Sequence, residues 1–171
     1  MNAVYVFLVG AWLALVQVSL FHSLQMLLSS AAITWITLLL SWFMGASLGV
    51  WIRSSRATFP LFLLACMAPY AIQLLLSQYP FSLSLLTVYA PLIGATALFA
   101  GHFFQAERRT FPRIATLFFW ENTGFALGLV CGVLGLVLQG RAFLLVAPFV
   151  GFLLLVVLAW IRGPRTVMRT T

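Results

Sequence analysis

Ile114-Ala-Thr-Leu-Phe-Phe-Trp-Glu121-Asn-Thr-Gly124-Phe-Ala-Leu-Gly128-Leu-Val-Cys-Gly132-Val-Leu-Gly135-Leu-Val-Leu138 decides the class of this chain. As a helix it is long enough to cross a hydrocarbon core of roughly 30 Å. It holds one carboxylate, Glu121, and no basic residue. An ionisable side chain inside a lipid-spanning helix is costly, so it faces protein or water and marks a functional or assembly site. Gly124, Gly128 and Gly132 recur at intervals of four, on one helix face. Glycines so placed form a groove that admits another backbone.

Five further apolar runs surround this one. The six cover about 3–21, 31–52, 59–76, 83–104, 114–138 and 142–161, each close to the roughly 20 residues a spanning helix needs. Apolar residues make up 64% of the chain and charged residues 6%, which excludes an ordinary soluble domain. The expected fold is therefore all-α, a single integral membrane domain over residues 1–171. It is a polytopic bundle of about six spans with short connectors.

Charge gives the orientation. All nine basic residues are arginines. Arg53 and Arg56 follow the second run, Arg108, Arg109 and Arg113 separate the fourth from the fifth, and Arg162, Arg165 and Arg169 follow the sixth. Arg141 alone lies in the alternate set of connectors, 22–30, 77–82 and 139–141. Six spans put eight arginines on one side and one on the other, so both termini are expected in the cytoplasm of a cell inner (plasma) membrane. The net charge of +7 is thus topology and not a nucleic-acid footprint. Arg53, Arg56, Arg108, Arg109, Arg113, Arg162 and Arg165 are candidates for lipid phosphate at that face. The first run lacks a preceding basic residue and a small-residue cleavage site, so it is expected to remain in the mature protein.

Glu121 and Asn122 form the candidate ion, proton or assembly site. Burial favours the neutral form of a carboxyl, and a protonated Glu121 bonded to Asn122, Thr96 or Gln17 is one expectation. A proton-exchanging or cation-binding carboxylate is a second, and an ion pair with Arg113 or Arg109 a third. The glycine groove of the fifth run is expected to take either a helix of the same chain, with Gly45 and Gly49 of the second run as natural partners, or a second protein. The pair Gly45-Ala-Ser-Leu-Gly49 and Gly124-Phe-Ala-Leu-Gly128 also suggests a 3+3 inverted repeat.

The remaining chemistry-bearing residues read as structural. His22 and His102 belong to opposite ends of the bundle and are expected to be interfacial, which excludes one haem held by both. Cys66 and Cys131 read as small buried hydrophobes, and the six tryptophans as interfacial anchors or lipid-facing bulk. Pro69, Pro91 and Pro148 should kink their helices and free carbonyls for neighbouring helices to satisfy. No phosphate loop, metal-spaced cluster or nucleophile–base set occurs. We expect no catalytic residue, metal or cofactor.

Four stretches carry a family likeness: Leu13-Ala-Leu-Val-Gln-Val-Ser-Leu-Phe-His-Ser-Leu24, Leu40-Ser-Trp-Phe-Met-Gly-Ala-Ser-Leu-Gly49, Pro91-Leu-Ile-Gly-Ala-Thr96 and Leu117-Phe-Phe-Trp-Glu-Asn-Thr-Gly-Phe-Ala-Leu-Gly128. Their order resembles the membrane domain of fused spermidine-synthase-like proteins. The resemblance implies a bundle like half of a major facilitator transporter, with Glu121 and Asn122 at the polar position of its hallmark helix. The soluble aminopropyltransferase domain that follows in that family has no counterpart in this sequence, so the likeness implies a membrane module and transfers no catalytic residue.

Two functions compete at this stage. One is a non-catalytic multi-pass subunit anchoring or organising a larger membrane complex, with a respiratory or electron-transfer complex as one option. The other is a transporter-like half-module, pairing with a second copy around Glu121 to handle a small cation or polyamine. The partners expected are the lipid bilayer and other membrane subunits or a second copy, with no nucleic acid.

Overall fold

The computed structural model describes residues 2–28 and 32–162. It is an all-helical bundle of six helices: α1 (Asn2–Leu27), α2 (Ala32–Trp51), α3 (Thr58–Gln78), α4 (Leu86–Glu107), α5 (Ile114–Gln139) and α6 (Arg141–Ile161). Each is long and apolar enough to cross a membrane. Short 3₁₀ turns at Ser55–Ala57, Leu83–Leu85 and Arg108–Thr110 shape three of the connections.

Most boundaries fall within a few residues of the hydropathy edges. The exception is α1, which continues through His22 and Gln25 to Leu27, where the sequence reading ended the span near Phe21. Ser23 and Leu24 are buried on that added turn, so tertiary packing extends the helix past its apolar run. The Phe81 amide bonds the Leu27 carbonyl at 2.7 Å. This satisfies an orphan group at the helix end, and Phe81 itself adopts φ 63°. Gly140, at φ 65°, forms the one-residue reversal between α5 and α6.

Two backbone-close helix pairs organise the bundle. A Cβ on Gly124 or Gly128 of α5 would overlap the carbonyl oxygens of Phe7 or Ala11 on α1, and one on Gly10 of α1 would overlap that of Glu121. The contacts ascend together along both helices, so α1 and α5 run parallel. In the same way Gly45 and Gly49 of α2 press on the Gly94 and Leu98 carbonyls of α4, and Gly101 presses on Ala46. The expected Gly45–Gly49 packing against the α5 groove is therefore corrected: α1 fills that groove, and the α2 glycines serve α4. A groove already holding a helix of its own chain is closed to a second protein.

Between these pairs lies an aromatic core. Trp12, Phe62, Phe99, Phe103 and Phe152 are buried, with ring centroids 5.2 Å apart for Trp12–Phe62, 4.9 Å for Phe62–Phe99 and 4.7 Å for Phe62–Phe152. Trp12 and Trp42 are thus core residues, against the expectation of interfacial anchors, whereas Trp51 and Trp160 are exposed at helix ends. Trp12 also donates from its indole to the Pro148 carbonyl at 2.8 Å, and Gly151 leaves room for its ring.

Pro148 explains the polar groups around it. Lacking an amide hydrogen, it frees the carbonyl four residues earlier, and the Ser19 hydroxyl donates to that Leu144 oxygen at 2.8 Å. Tyr70 donates to the Leu145 carbonyl at 2.7 Å. With its hydrogen committed to Leu144, Ser19 accepts from the Gln73 amide at 2.9 Å. The Leu144 carbonyl freed by Pro148 is thus satisfied by α1, as membrane burial demands, and α3 adds a bond to the neighbouring Leu145 carbonyl.

Candidate functional site

Glu121 begins the third turn of α5, with its carbonyl against Gly10 and its side chain half-buried. Asn122 and Thr123 continue around the helix onto the outer surface of the bundle, beside exposed Phe119. None of the expected partners bonds the carboxyl. Asn122 donates to the Phe118 carbonyl at 2.9 Å, Thr123 to that of Phe119 at 2.6 Å, and Thr96 to that of Leu92 at 3.1 Å. Gln17 adjoins Val18, which packs on Gly132 more than two turns further along α5. Among the described residues no hydrogen bond or ion pair reaches the Glu121 side chain, and neither Arg113 nor Arg109 pairs with it.

The buried, ion-paired carboxylate is instead Glu107, which lies between the fourth and fifth apolar runs. It is the last residue of α4, 3% exposed. Its Oε1 lies 3.6 Å from Arg162 Nη1, and the Thr110 hydroxyl donates to its Oε2 at 2.9 Å. Arg162 donates from Nη2 to Asn2 Oδ1 at 2.7 Å and stacks its guanidinium 4.1 Å from the centre of the Tyr5 ring. The cluster knots the ends of α1, α4 and α6. Arg162 is thereby removed from the set of lipid-facing cations. Arg165 lies outside the described residues. Arg53, Arg56, Arg108, Arg109 and Arg113 are exposed at the same end of the bundle.

His102 is also buried, which corrects its reading as interfacial. Its Nδ1 faces the Ile52 carbonyl at 2.8 Å, so that nitrogen donates, and Nε2 accepts from the Thr58 hydroxyl at 2.8 Å. The imidazole straps the α2–α3 connection to α4 and has no nitrogen left to ligate a cofactor. His22 is half-buried on α1. Cys66 is buried and Cys131 exposed, both free, so the expectation of burial fails for Cys131. Among the described residues no group of three His, Cys, Asp or Glu is placed to hold a metal.

Two positions signalled this arrangement in the sequence. Glu107 beside Arg108 had a second possible cation in Arg162, and Ser19 with Gln73 had the proline of α6 to serve. Neither pairing is local, so periodicity does not disclose it.

No protein-family model, curated protein or solved structure matches the chain.

Proposed function

We propose that this chain is a non-catalytic multi-pass membrane subunit that anchors or organises a larger membrane complex through the outward face of α5. One observation carries the reading: Asn122 and Thr123 are exposed on the outside of the bundle, and Glu121 is half-buried beside them at its edge. Asn122 is eight residues along α5, about 12 Å from the helix start, within the hydrocarbon depth if the span begins near Ile114. Lipid offers no partner for an amide oxygen or a carboxyl, whereas another membrane protein does. The core supports the same reading, since aromatic rings occupy the space between the helix pairs, and the buried Ser19 and Gln73 bond one another and the Leu144 carbonyl. We place both termini on the cytoplasmic side of a cell inner membrane on the arginine distribution.

The test is recovery from native membranes in mild detergent. A different membrane chain co-purifying with wild type, and lost with a Glu121→Leu/Asn122→Leu variant that still folds, is the expected result. Recovery of the chain alone under several detergents would count against the subunit reading.

A second reading has its own support. Exchanging α1 with α4, α2 with α5 and α3 with α6 turns the α1–α5 pairing into α4–α2, and α1–α6 into α4–α3; all four pairings occur. That pattern fits a 3+3 inverted repeat and a transporter-like half-module, as the spermidine-synthase-like resemblance implies. Two copies would then meet across their outward faces to handle a small cation or polyamine beside Glu121. Complex mass distinguishes the readings: two identical chains favour the half-module, a different partner the subunit.

A further inference from the structure

At the arginine-rich end, α2 and α4 leave a cleft of about 190 Å³ lined by Val50, Trp51, Arg53, Gln105 and Arg108. We propose that this cleft binds the headgroup phosphate of an anionic phospholipid. Charge balance is the first argument. The chain has nine basic residues and two acidic ones. Glu107 is taken by Arg162, and Glu121 lies on another helix, inside its spanning stretch. Among the described residues, Arg53 and Arg108 have no carboxylate within ion-pair distance, which leaves their charge open to an external anion.

Geometry is the second. Gln105 Oε1 lies 3.5 Å from Arg108 Nη1 where both line the cleft. Guanidinium forks match phosphate oxygens, and two of them lining one cleft, Arg53 after α2 and Arg108 after α4, suit a headgroup without a compensating ammonium. The third argument is apolar. Trp51 is 82% exposed at the lip, and Phe43, Met44 and Leu48 lie exposed along α2 below it. An indole at headgroup level above lipid-facing side chains is the setting of a membrane interface, and acyl chains have a surface to follow. Free phosphate would use the arginines but not this face.

The experiment uses the full chain in neutral detergent, with lipid retention read by native mass spectrometry and unfolding followed by heat. Phosphatidylglycerol, phosphatidylcholine and inorganic phosphate are compared at equal concentration. Wild type is expected to retain phosphatidylglycerol in preference to phosphatidylcholine and to be stabilised by it. Arg53→Gln/Arg108→Gln should weaken retention about tenfold or more, given the loss of two direct charge-assisted guanidinium–phosphate contacts. Arg53→Lys/Arg108→Lys should fall between the two, and Arg109→Gln/Arg113→Gln, with the same charge loss outside the cleft, should stay within about twofold of wild type. Equal loss in the Arg109/Arg113 variant would overturn the site in favour of diffuse attraction. Equal retention of phosphatidylcholine would overturn the anion requirement, and full stabilisation by inorganic phosphate would overturn the lipid assignment.

Discussion

Arg162 at the end of α6 lies 3.6 Å from Glu107 at the end of α4, and the two side chains are 11% and 4% exposed. A pair so buried is weak as a source of net stability but costly to break on one side, because the remaining charge loses its compensation. Glu107→Gln or Arg162→Gln alone should destabilise by about 3 kcal/mol, and the double variant should cost less than the two singles summed. A double-mutant cycle on thermal unfolding in one detergent measures this.

Gly124 touches the backbone of Phe7, whereas Gly132 faces only the Val18 side chain, with a Cβ placed 3.3 Å from its methyls. Gly124→Ala must push α1 and α5 apart and should cost about 1–3 kcal/mol or more. Gly132→Ala should be far milder, since a valine side chain can give by a few tenths of an ångström. Comparison of the two unfolding midpoints is the check; equal effects would mean that α1 and α5 are not in backbone contact at Gly124.

Ser19 and Pro148 should be coupled. Ser19→Ala leaves the Leu144 carbonyl and the Gln73 amide without their partner, costing about 1–3 kcal/mol by the general rule for buried polar groups. Exchanges between membrane helices average nearer 0.6 kcal/mol, so the lower end is expected. Pro148→Ala restores an amide hydrogen within reach of Leu144, and in that background Ser19→Ala should cost less. Additive effects would show that Ser19 does not serve the carbonyl freed by the proline.

The spans and their order were legible because hydropathy run length and arginine punctuation report directly on bilayer thickness and helix ends. Glycine spacing disclosed that close helix crossings exist but not which helices meet, since four-residue periodicity marks a face without naming its neighbour. The same limit misplaced the carboxylates. Glu121 stands out because its run is apolar, yet its side chain is half-buried at the bundle edge, and Glu107 falls between the fourth and fifth apolar runs, where nothing local marks it as buried. Burial at Glu107 depends on Arg162, more than fifty residues away, and on the ends of α1, α4 and α6 converging. Trp12 was unreadable for a related reason: its role depends on Gly151 and Pro148, far along the chain, making room and offering an oxygen.

The Glu121 carboxyl gives a further prediction. If it serves as a hydrogen-bonding contact to a partner, Glu121→Gln should preserve the complex, because the amide retains shape and polar bonding, while Glu121→Leu should release it. Loss of activity in Glu121→Gln with the complex intact would instead favour an ionising role and the half-module reading. Complex recovery and any transport signal, measured on the same three proteins, separate these outcomes.

The central claim, that the outward face of α5 meets protein and not lipid, is tested most directly by photo-crosslinking in native membranes. A photoreactive side chain at Asn122 is compared with one at Leu153, exposed on α6 at the same eight-residue distance from the arginine-rich end of its helix. The account predicts a discrete protein adduct from position 122 and only lipid adducts from position 153. Lipid adducts alone from position 122, in membranes where the protein is folded and at native abundance, would contradict it.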